Sequence, residues 1–469
     1  MPLLVQHELG LEQWGWLQTP EGDGMLDLLA RATDEVTGEL ERYKDLQQEA
    51  AAAENYGLSK HYQQVRNTIR GRLLLGFLGS RNILPKYGFP TDVVEMKTSH
   101  LTLPEASKVE LQRDLRIAIA EYAPGSEIVA AKRVWVSAGL YKQPQKDWPT
   151  YHYAVCAACG RFHLATGTED LGTQCQACGE SLRTHQRLQG EFIKPEFGFV
   201  AADKPRASGE ARPRRGFASR VYFAEYAPNA SGAATETEPA VVPEISGASV
   251  MVEQRYSRFG RLVLVNAGPR GRGFQVCQTC GYAQPAPEPR PVGARGRGKP
   301  KRQTHPHLLK GHECTGVMKP DGYHLGHDFL TDVVELRFAG PHVAANNDGL
   351  WRSLVYALLE GAAQGLGIRR DDLDGTLYRY TAGLPPAIVL YDNVPGGAGH
   401  VHYIAQELSL VLATAYKRMH HDCCGPETSC YECLRNYRNQ PYHDILQRGL
   451  VRDFLATVMA QSSPPRNGG

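Results

Sequence analysis

Ala387-Ile-Val-Leu-Tyr-Asp-Asn-Val-Pro-Gly-Gly-Ala-Gly-His400 is the stretch that decides the architecture of this chain. Residues 387–391 are an unbroken apolar run and read as a buried strand. Glycines then permit a tight turn, and residues 401–419 carry apolar side chains at helical spacing. Upstream, residues 350–366 read as an amphipathic helix that Gly367 ends. Strand, glycine turn and helix in that order imply a sheet with helices layered on it.

A second reading extends toward the N-terminus. Phe89-Pro-Thr-Asp-Val-Val-Glu-Met96 recurs almost verbatim as Phe329-Leu-Thr-Asp-Val-Val-Glu-Leu336. Two equivalent strands flanking an insertion would give this, with Val93 and Val333 inward on a period-two strand; chance would give it too. Before the first copy, Leu26, Leu29, Val36, Leu40, Tyr43 and Leu46 mark a helical arm, interrupted near Asn55-Tyr-Gly57. A further helix from Tyr62 turns Val65, Ile69, Leu73 and Leu74 toward a core. Leu84-Pro-Lys-Tyr-Gly-Phe-Pro90 breaks it.

Between the copies, residues 201–216 and 230–243 have the composition of flexible linkers, and residues 285–302 form a basic Pro/Gly/Arg-rich loop. The expected segments are therefore 1–82, helical; 83–150, a first strand-containing core; 151–200, a four-cysteine ribbon; 201–248, linkers; 249–336, β-rich with a second metal site and the basic loop; and 337–469, α/β with a third cysteine cluster. The fold class is α/β of the multidomain α+β kind: an N-terminal helical arm, a mixed sheet core with an inserted zinc ribbon, and a C-terminal α/β zinc-binding domain.

The chain has 469 residues, enough for about three domains at roughly 150 residues each. Lys plus Arg number 52 against 50 Asp plus Glu, so any footprint for nucleic acid must be local. No apolar run approaches the ~18 residues of a membrane span, and Met-Pro-Leu-Leu-Val-Gln lacks the pattern of a signal peptide, so no membrane association and a cytoplasmic location are expected. In a reducing compartment, eleven cysteines clustered as Cys-x-x-Cys pairs read as metal ligands rather than disulfides. There is no Gly-x-x-x-x-Gly-Lys-Ser/Thr loop and no acidic helicase box. The chain is not expected to be a self-contained ATP motor.

Cys156-Ala-Ala-Cys159 and, fifteen residues on, Cys175-Gln-Ala-Cys178 give four soft thiolates for tetrahedral zinc. Gly160 and Gly179 follow each pair, as in a knuckle whose backbone amides point at sulfur. A closed four-sulfur site leaves no position for water, so its role is structural; the alternative is an unmetallated redox pair. Cys277, Cys280, His312 and Cys314 complete a second site across the basic loop, with His305 or His307 as substitutes for His312; the alternative is that the histidines merely sit in a polar loop. The third cluster is Cys423, Cys424, Cys430 and Cys433. Neighbouring Cys423 and Cys424 make an awkward chelate, which leaves His421 or His443 as a possible fourth ligand, and four buried cysteines without metal as the alternative. Two to three structural zinc ions are expected.

The turn at 392–400 offers free amides at a helix start, suited either to an anion or to close strand–helix packing. Asp392 with His400 is the nearest thing to a hydrolytic pair. Basic residues gather at Arg212, Arg214, Arg215 and Arg220, at Arg295, Arg297, Lys299, Lys301 and Arg302, and at Arg435, Arg438 and Arg448, the last group interleaved with Tyr431, Tyr437 and Tyr442. Charge beside stacking faces suits a phosphate backbone and unpaired bases; the alternative is that each run is only a solvated surface.

Residues 82–95, Leu111-Gln-Arg-Asp114, Glu121-Tyr-Ala-Pro-Gly-Ser126, Leu325-Gly-His327 with Thr331-Asp-Val333, the glycine turn and Ser429-Cys-Tyr-Glu-Cys-Leu-Arg-Asn-Tyr-Arg-Asn439 resemble a known zinc-binding family. It comprises the domains found at the end of MrfA-like DNA helicases and in DrmB, a subunit of the bacterial DISARM anti-phage system. The likeness runs from about residue 73 to about residue 450, and with no motor in the chain it looks more like the free-standing DrmB type. It implies a non-catalytic zinc-binding accessory subunit of a superfamily 2 helicase, partnered with a DrmA-like helicase and engaging DNA in defence. The residues that carry over are Cys430 and Cys433 with Cys423 or Cys424, and by pattern Cys277, Cys280 and Cys314. No catalytic residue comes with it. Two other readings stand beside this one: a nuclease or phosphodiester hydrolase using the glycine turn, and a DNA-repair accessory related to MrfA-like helicases.

Overall fold

Two helices lead, α1 (Met25–Ala52) and α2 (Tyr56–Arg70). The computed structural model describes residues 25–71, 92–143, 146–166, 170–182, 189–207, 209, 219–227, 238–287, 304–319, 322–341, 343–394 and 396–461. Asn55 breaks the two helices apart and caps the second, its side chain accepting the Leu58 N–H at 3.1 Å. That satisfies one of the amides a helix start leaves unpaired. Tyr43, Val65 and Ile69 close a small core with Val36, Leu40, Leu46 and Tyr62, so these helically spaced residues of the arm face each other, whereas Leu26 at its start is 48% exposed. The second helix begins at Tyr56, a turn and a half earlier than Tyr62. His61 joins this hairpin to the body, its Nε2 lying 3.2 Å from the buried Tyr141 hydroxyl. Leu73, Leu74 and the break at 84–90 lie outside the described residues.

β1 (Val93–Lys97) and β2 (Gln112–Asp114) lead into the short helix α3 (Leu115–Glu121), which the Asp114 side chain caps. β3 (Glu127–Ala130) and β4 (Arg133–Leu140) form a hairpin. β5 (Thr150–Val155), β6 (Phe162–Thr166) and β7 (Gln189–Ile193) form an arm, and β8 (Phe199–Ala201) and β9 (Arg206–Ala207) return to the first strands. After β10 (Arg220–Tyr226), β11 (Ala240–Val241) and β12 (Met251–Asn266) come two small pairs. These are β13 (Phe274–Val276) with β14 (Ala283–Pro285), and β15 (His305–Pro306) with β16 (Glu313–Cys314). β17 (His324–Ala339), α4 (Asp348–Leu366), β18 (Leu373–Tyr378), β19 (Ala387–Asp392), α5 (His400–Gln406), α6 (Leu408–Met419) and α7 (Arg448–Gln461) complete the order.

The strands assemble into a six-stranded sheet, β2-β1-β8-β4-β3 with β9 on β4, and a nine-stranded sheet, β10-β12-β17-β7-β5-β6 with β11 on β12 and β19 and β18 beside β17. β17 is the spine of the larger sheet. It runs antiparallel to β12 along nearly its whole length, parallel to β7 at His324 and Leu325, and antiparallel to β19 over residues 333–336. Its two faces are both covered. Val334, Leu336, Ile388 and Leu390 enter a core with Trp351, Leu354, Leu358, Val411, Leu412 and Leu455 from α4, α6 and α7. Val333, Phe329, Val389 and Tyr391 point the other way, into a core with Tyr122, Trp135 and Phe199 of α3 and the six-stranded sheet. Double coverage is why residues 387–391 of β19 are an unbroken apolar run and why Val333 and Val334 of β17 are both buried. The fold is a mixed α/β, multidomain α+β arrangement.

A bulge in β12 lies between Ser257 and Gly260. A Cβ at Gly260 would stand 2.2 Å from Val333 Cγ1, so only glycine lets the strands close there. Glu335, fully buried in β17, is held by Arg255 at 2.6 Å, Arg337 at 2.6 Å and the Tyr226 hydroxyl. A buried carboxylate persists only with such partners.

The repeated octapeptide does not make two equivalent strands. β1 belongs to the smaller sheet and β17 to the larger, and Val93 is 40% exposed whereas Val333 is buried. β1 has one covered face, so Val94 and Met96 turn inward and Val93 outward. Within the expected linkers, residues 208, 210–218 and 228–237 lie outside the described residues, while β9 and β11 form short edge strands. Among the described residues no helix is long and apolar enough to cross a membrane.

Candidate metal centres and nucleic-acid interface

Three four-residue groups converge, and together they take up all eleven cysteines of the chain. Each places its ligand atoms within 4.8 Å of one another. Four thiolates around zinc at about 2.3 Å stand roughly 3.8 Å apart, whereas a disulfide needs about 2.05 Å. The sulfurs observed 3.5–4.0 Å apart are therefore spaced for an ion, and none is bridged. The donor sets, soft sulfur with one imidazole and no water position, fit structural zinc, two to three ions.

The first centre is Cys156, Cys159, Cys175 and Cys178 at the tip of the β5–β7 arm. Its two halves are matching knuckles. Cys156 and Cys175 each accept from the glycine four residues on, Gly160 and Gly179, at 2.8 Å and donate to the carbonyl five residues on, Arg161 and Glu180. Those glycines sit at φ +79° and +74°, the left-handed conformation that lets the turn close under the sulfur. His163 on β6 adds a neighbour that the cysteine spacing did not indicate, its Nε2 3.3 Å from Cys175 Sγ. Only register reveals it: His163 faces Ala154 across the hairpin.

The second centre gathers Cys277, Cys280, His305 and Cys314. His305, rather than His312, stands with the cysteines. The β15–β16 ladder pairs His305 directly with Cys314, bringing its Nε2 to 3.4 Å from Cys280 Sγ, and the ring stacks on Tyr282 at 4.9 Å. His312 sits two residues before Cys314 and turns to His307, ring centroids 5.3 Å apart. The knuckle repeats the first one, with Gly281 donating to Cys277 and Cys277 to Tyr282. Burial pushes the Cys280 thiol up to about 12. It is no ready nucleophile at neutral pH, and a divalent ion is what would displace its proton.

The third centre uses both adjacent cysteines: Cys423, Cys424, Cys430 and Cys433. The chain bends sharply after α6, so neighbouring side chains converge where a helix or strand would have parted them. Cys424 and Cys430 both lie 3.8 Å from Cys433, and burial raises Cys423 to about 11. His443 is engaged elsewhere, its Nε2 2.8 Å from Asn439 Oδ1 and its ring edge-on to Tyr431. Arg448, the first residue of α7, is buried and donates to the Met419 and Cys424 carbonyls at 2.8 and 2.7 Å. It clamps the knuckle and is not a surface cation, a correction to its place in the basic cluster.

Tyr431 and Tyr437 are each 66% exposed beside Arg438, while Arg435 is tied to Ser429 Oγ at 3.0 Å. Tyr442 turns inward under Arg352. Arg212, Arg214, Arg215, Arg295, Arg297, Lys299, Lys301 and Arg302 lie outside the described residues, as does Pro395 of the glycine turn. In that turn Asp392 is fully buried. One carboxylate oxygen accepts from the Ala398 and His400 amides at 2.6 and 3.1 Å, the other from Val401 at 3.1 Å. Asp332 beside it accepts from Gly399 at 3.2 Å. Burial raises both carboxyls, with Asp392's own charge adding to the rise at Asp332. The anion at this helix start is the protein's own, so the amides that would have held a phosphate are occupied.

Comparison with known proteins places residues 354–434 in a match to the MrfA Zn-binding domain, a range that takes in all four cysteines of the third centre. The chain is 25% identical over 430 residues to Druantia protein DruE of Escherichia coli (strain UMEA 4076-1), a match spanning 81% of this chain and 22% of that protein. Among solved structures it is similar to DUF1998 helicase MrfA bound to DNA, with a TM-score of 0.35 and 10% identity over 76% of this chain and 32% of that one. The form of MrfA bound to DNA and AMPPNP gives 0.28 and 9%, over 74% and 29%.

Proposed function

We propose that this chain is a zinc-stapled, non-catalytic unit that serves a superfamily 2 DNA helicase, helping it engage DNA during defence against phage. The observation that carries this reading is the match of residues 354–434 to the MrfA Zn-binding domain, which takes in the third cysteine cluster and the exposed Tyr431; Tyr437 and Arg438 are exposed just beyond the matched range. In this reading the three centres are structural staples held by Cys156, Cys159, Cys175 and Cys178, by Cys277, Cys280, His305 and Cys314, and by Cys423, Cys424, Cys430 and Cys433. Bound zinc would fix each knuckle, while the chain's own residues supply the contact: tyrosine faces for unpaired bases and guanidinium for phosphate.

The non-catalytic part of the reading draws support from Asp392, whose carboxylate is spent on three amides and is not aimed at a substrate. The defence assignment rests on the likeness to the Druantia protein DruE and on the DrmB-like motifs. The finer assignment, a DISARM subunit partnered with a DrmA-like helicase in the cytoplasm, rests on those motifs alone. The alternative of a repair accessory rests on the resemblance of the sequence motifs to MrfA-like helicases.

The test is co-purification with the helicase encoded nearest to it, followed by DNA-stimulated ATP hydrolysis with and without this chain. A stoichiometric complex with altered DNA dependence is expected. Separate elution with unchanged hydrolysis would remove the helicase link. Metal analysis of the same preparation should return three zinc ions per chain.

A further inference from the structure

Beneath the C-terminal knuckle lies a cavity of about 50 Å³ between the start of β10, β18, α4 and the segment after Cys433. Three guanidinium groups line it, Arg220, Arg352 and Arg438, with Ser219, Asp374 and Tyr442. A water needs roughly 10–15 Å³ of such space, so the cavity holds a handful of heavy atoms: one tetrahedral oxyanion, and too few for a nucleobase.

Two of its polar atoms are left over. Arg352 Nε and Ser219 Oγ are buried with no hydrogen-bond partner among the described residues. Neither Arg352 nor Arg220 forms an ion pair among those residues. Arg352 instead lies over the Tyr442 ring at 4.5 Å, which fixes the plane of its guanidinium. Arg438 donates to the Asp371 backbone carbonyl at 3.3 Å and lies 3.9 Å from that residue's largely exposed carboxylate. The one carboxylate facing the cavity, Asp374, accepts from the Gly375 amide at 2.8 Å. Three cations against one anion leave a surplus of positive charge around a space the size of a phosphate. A buried donor without an acceptor costs about 1–3 kcal/mol, and an incoming oxyanion would relieve it.

We propose that this cavity is a phosphate pocket that receives a phosphodiester of a single nucleic-acid strand. The proposal rests on the DNA-engaging reading and deepens it, since Arg438 at the rim follows Tyr437 in sequence. A strand stacked on the exposed tyrosines would deliver its backbone to the arginines. A phosphodiester carries a single negative charge and would offset part of the surplus that the three arginines leave over Asp374.

The experiment is fluorescence anisotropy of a labelled single-stranded oligonucleotide with the full chain across a salt series. It compares wild type, Arg352→Gln, Arg220→Gln at the exposed rim, and Arg113→Gln in β2 as a charge-matched control. Arg352→Gln is expected to weaken binding roughly tenfold, and each pocket variant to flatten the slope of log K against log salt by about 0.7. Arg113→Gln should leave the slope unchanged. Arg220→Gln keeps the test valid if Arg352→Gln proves unstable. Wild-type binding that both pocket variants retain, in strength and slope, overturns the pocket and leaves the DNA reading intact. A second arm melts wild type and variants in inorganic phosphate against matched chloride. Phosphate protection specific to wild type, without oligonucleotide binding, would assign the pocket to free phosphate and overturn both the phosphodiester and the DNA reading. No response in either arm removes the site altogether.

Discussion

The first zinc centre and the third use the same four-sulfur donor set in different surroundings. Around the first, the buried residues are Ala154, Cys156, Cys175 and Leu182, so two of the four belong to the cysteine cluster itself. The arm that carries it meets the spine strand through two register pairs, His324 with Phe192 and Leu325 with Ile193. Around the third, Cys433 and Leu434 belong to the largest core of the molecule, and Arg448 locks the knuckle between α6 and α7. The first centre has little apolar burial beneath it to hold its shape without an ion, whereas the third is seated on a core of buried side chains from α4, α6 and α7. Ligand type alone does not say what a metal does; the apolar area beneath it does.

Chelation gives the largest expected effect and tests this contrast directly. Removing zinc should bring amide exchange in residues 156–182 close to that of a free chain, since structural zinc supplies on the order of 10 kcal/mol to such modules. Exchange around residues 426–434 should rise far less. Equal loss in both regions would break the comparison. Next comes Arg448→Met, expected to destabilise the C-terminal region by about 3 kcal/mol in urea melts. It removes two buried charge-assisted hydrogen bonds and frees the Met419 and Cys424 carbonyls. A change below about 1 kcal/mol would mean that the metal, not the clamp, holds the third knuckle.

Asp328→Asn probes the anchor of the first arm. Burial pushes this carboxyl up, but Lys194 at 3.1 Å and Arg261 at 2.9 Å outweigh burial and hold it at about 2. Its folded pKa lies below its unfolded one, so its contribution is present above about pH 4 and fades as pH falls toward 2. The variant should lose about 2 kcal/mol at pH 7, and the gap from wild type should narrow as the pH is lowered through 4. A gap independent of pH would show that the pair is not what ties β7 to the spine. The smallest effect is expected from Tyr431→Ala and Tyr437→Ala. Being exposed, they should shift stability by less than about 0.5 kcal/mol while weakening single-strand binding by about 1 kcal/mol or more each.

Much of the C-terminal half was legible because its signals are local. The apolar run at 387–391, the glycine turn and the helix after it are contiguous, and each appears as a buried strand, a turn and helices packed on one sheet. Cysteine pairs two residues apart are equally local, since a knuckle is built within a few residues. The identical Thr-Asp-Val-Val-Glu segments show where local reading stops. The same five residues bury one valine in β1 and both in β17, because coverage of a strand's faces is decided by what packs on it. His305 over His312 has a similar cause: the hairpin register, set by strand pairing across a long loop, chooses which imidazole meets the sulfurs.

The sequence by itself determined the cysteine knuckles, the strand–turn–helix of the C-terminal region and the balanced charge that makes any basic surface local. These depend on composition and on spacing within a turn or a single strand. Tertiary structure alone decided that Arg448 is a clamp, that Asp392 fills its own helix start, and that Arg220, Arg352 and Arg438 surround one small cavity. Residues so far apart along the chain meet only when the sheet and its helices close, and burial then fixes whether a charge is a tether, a cap or a free binding group.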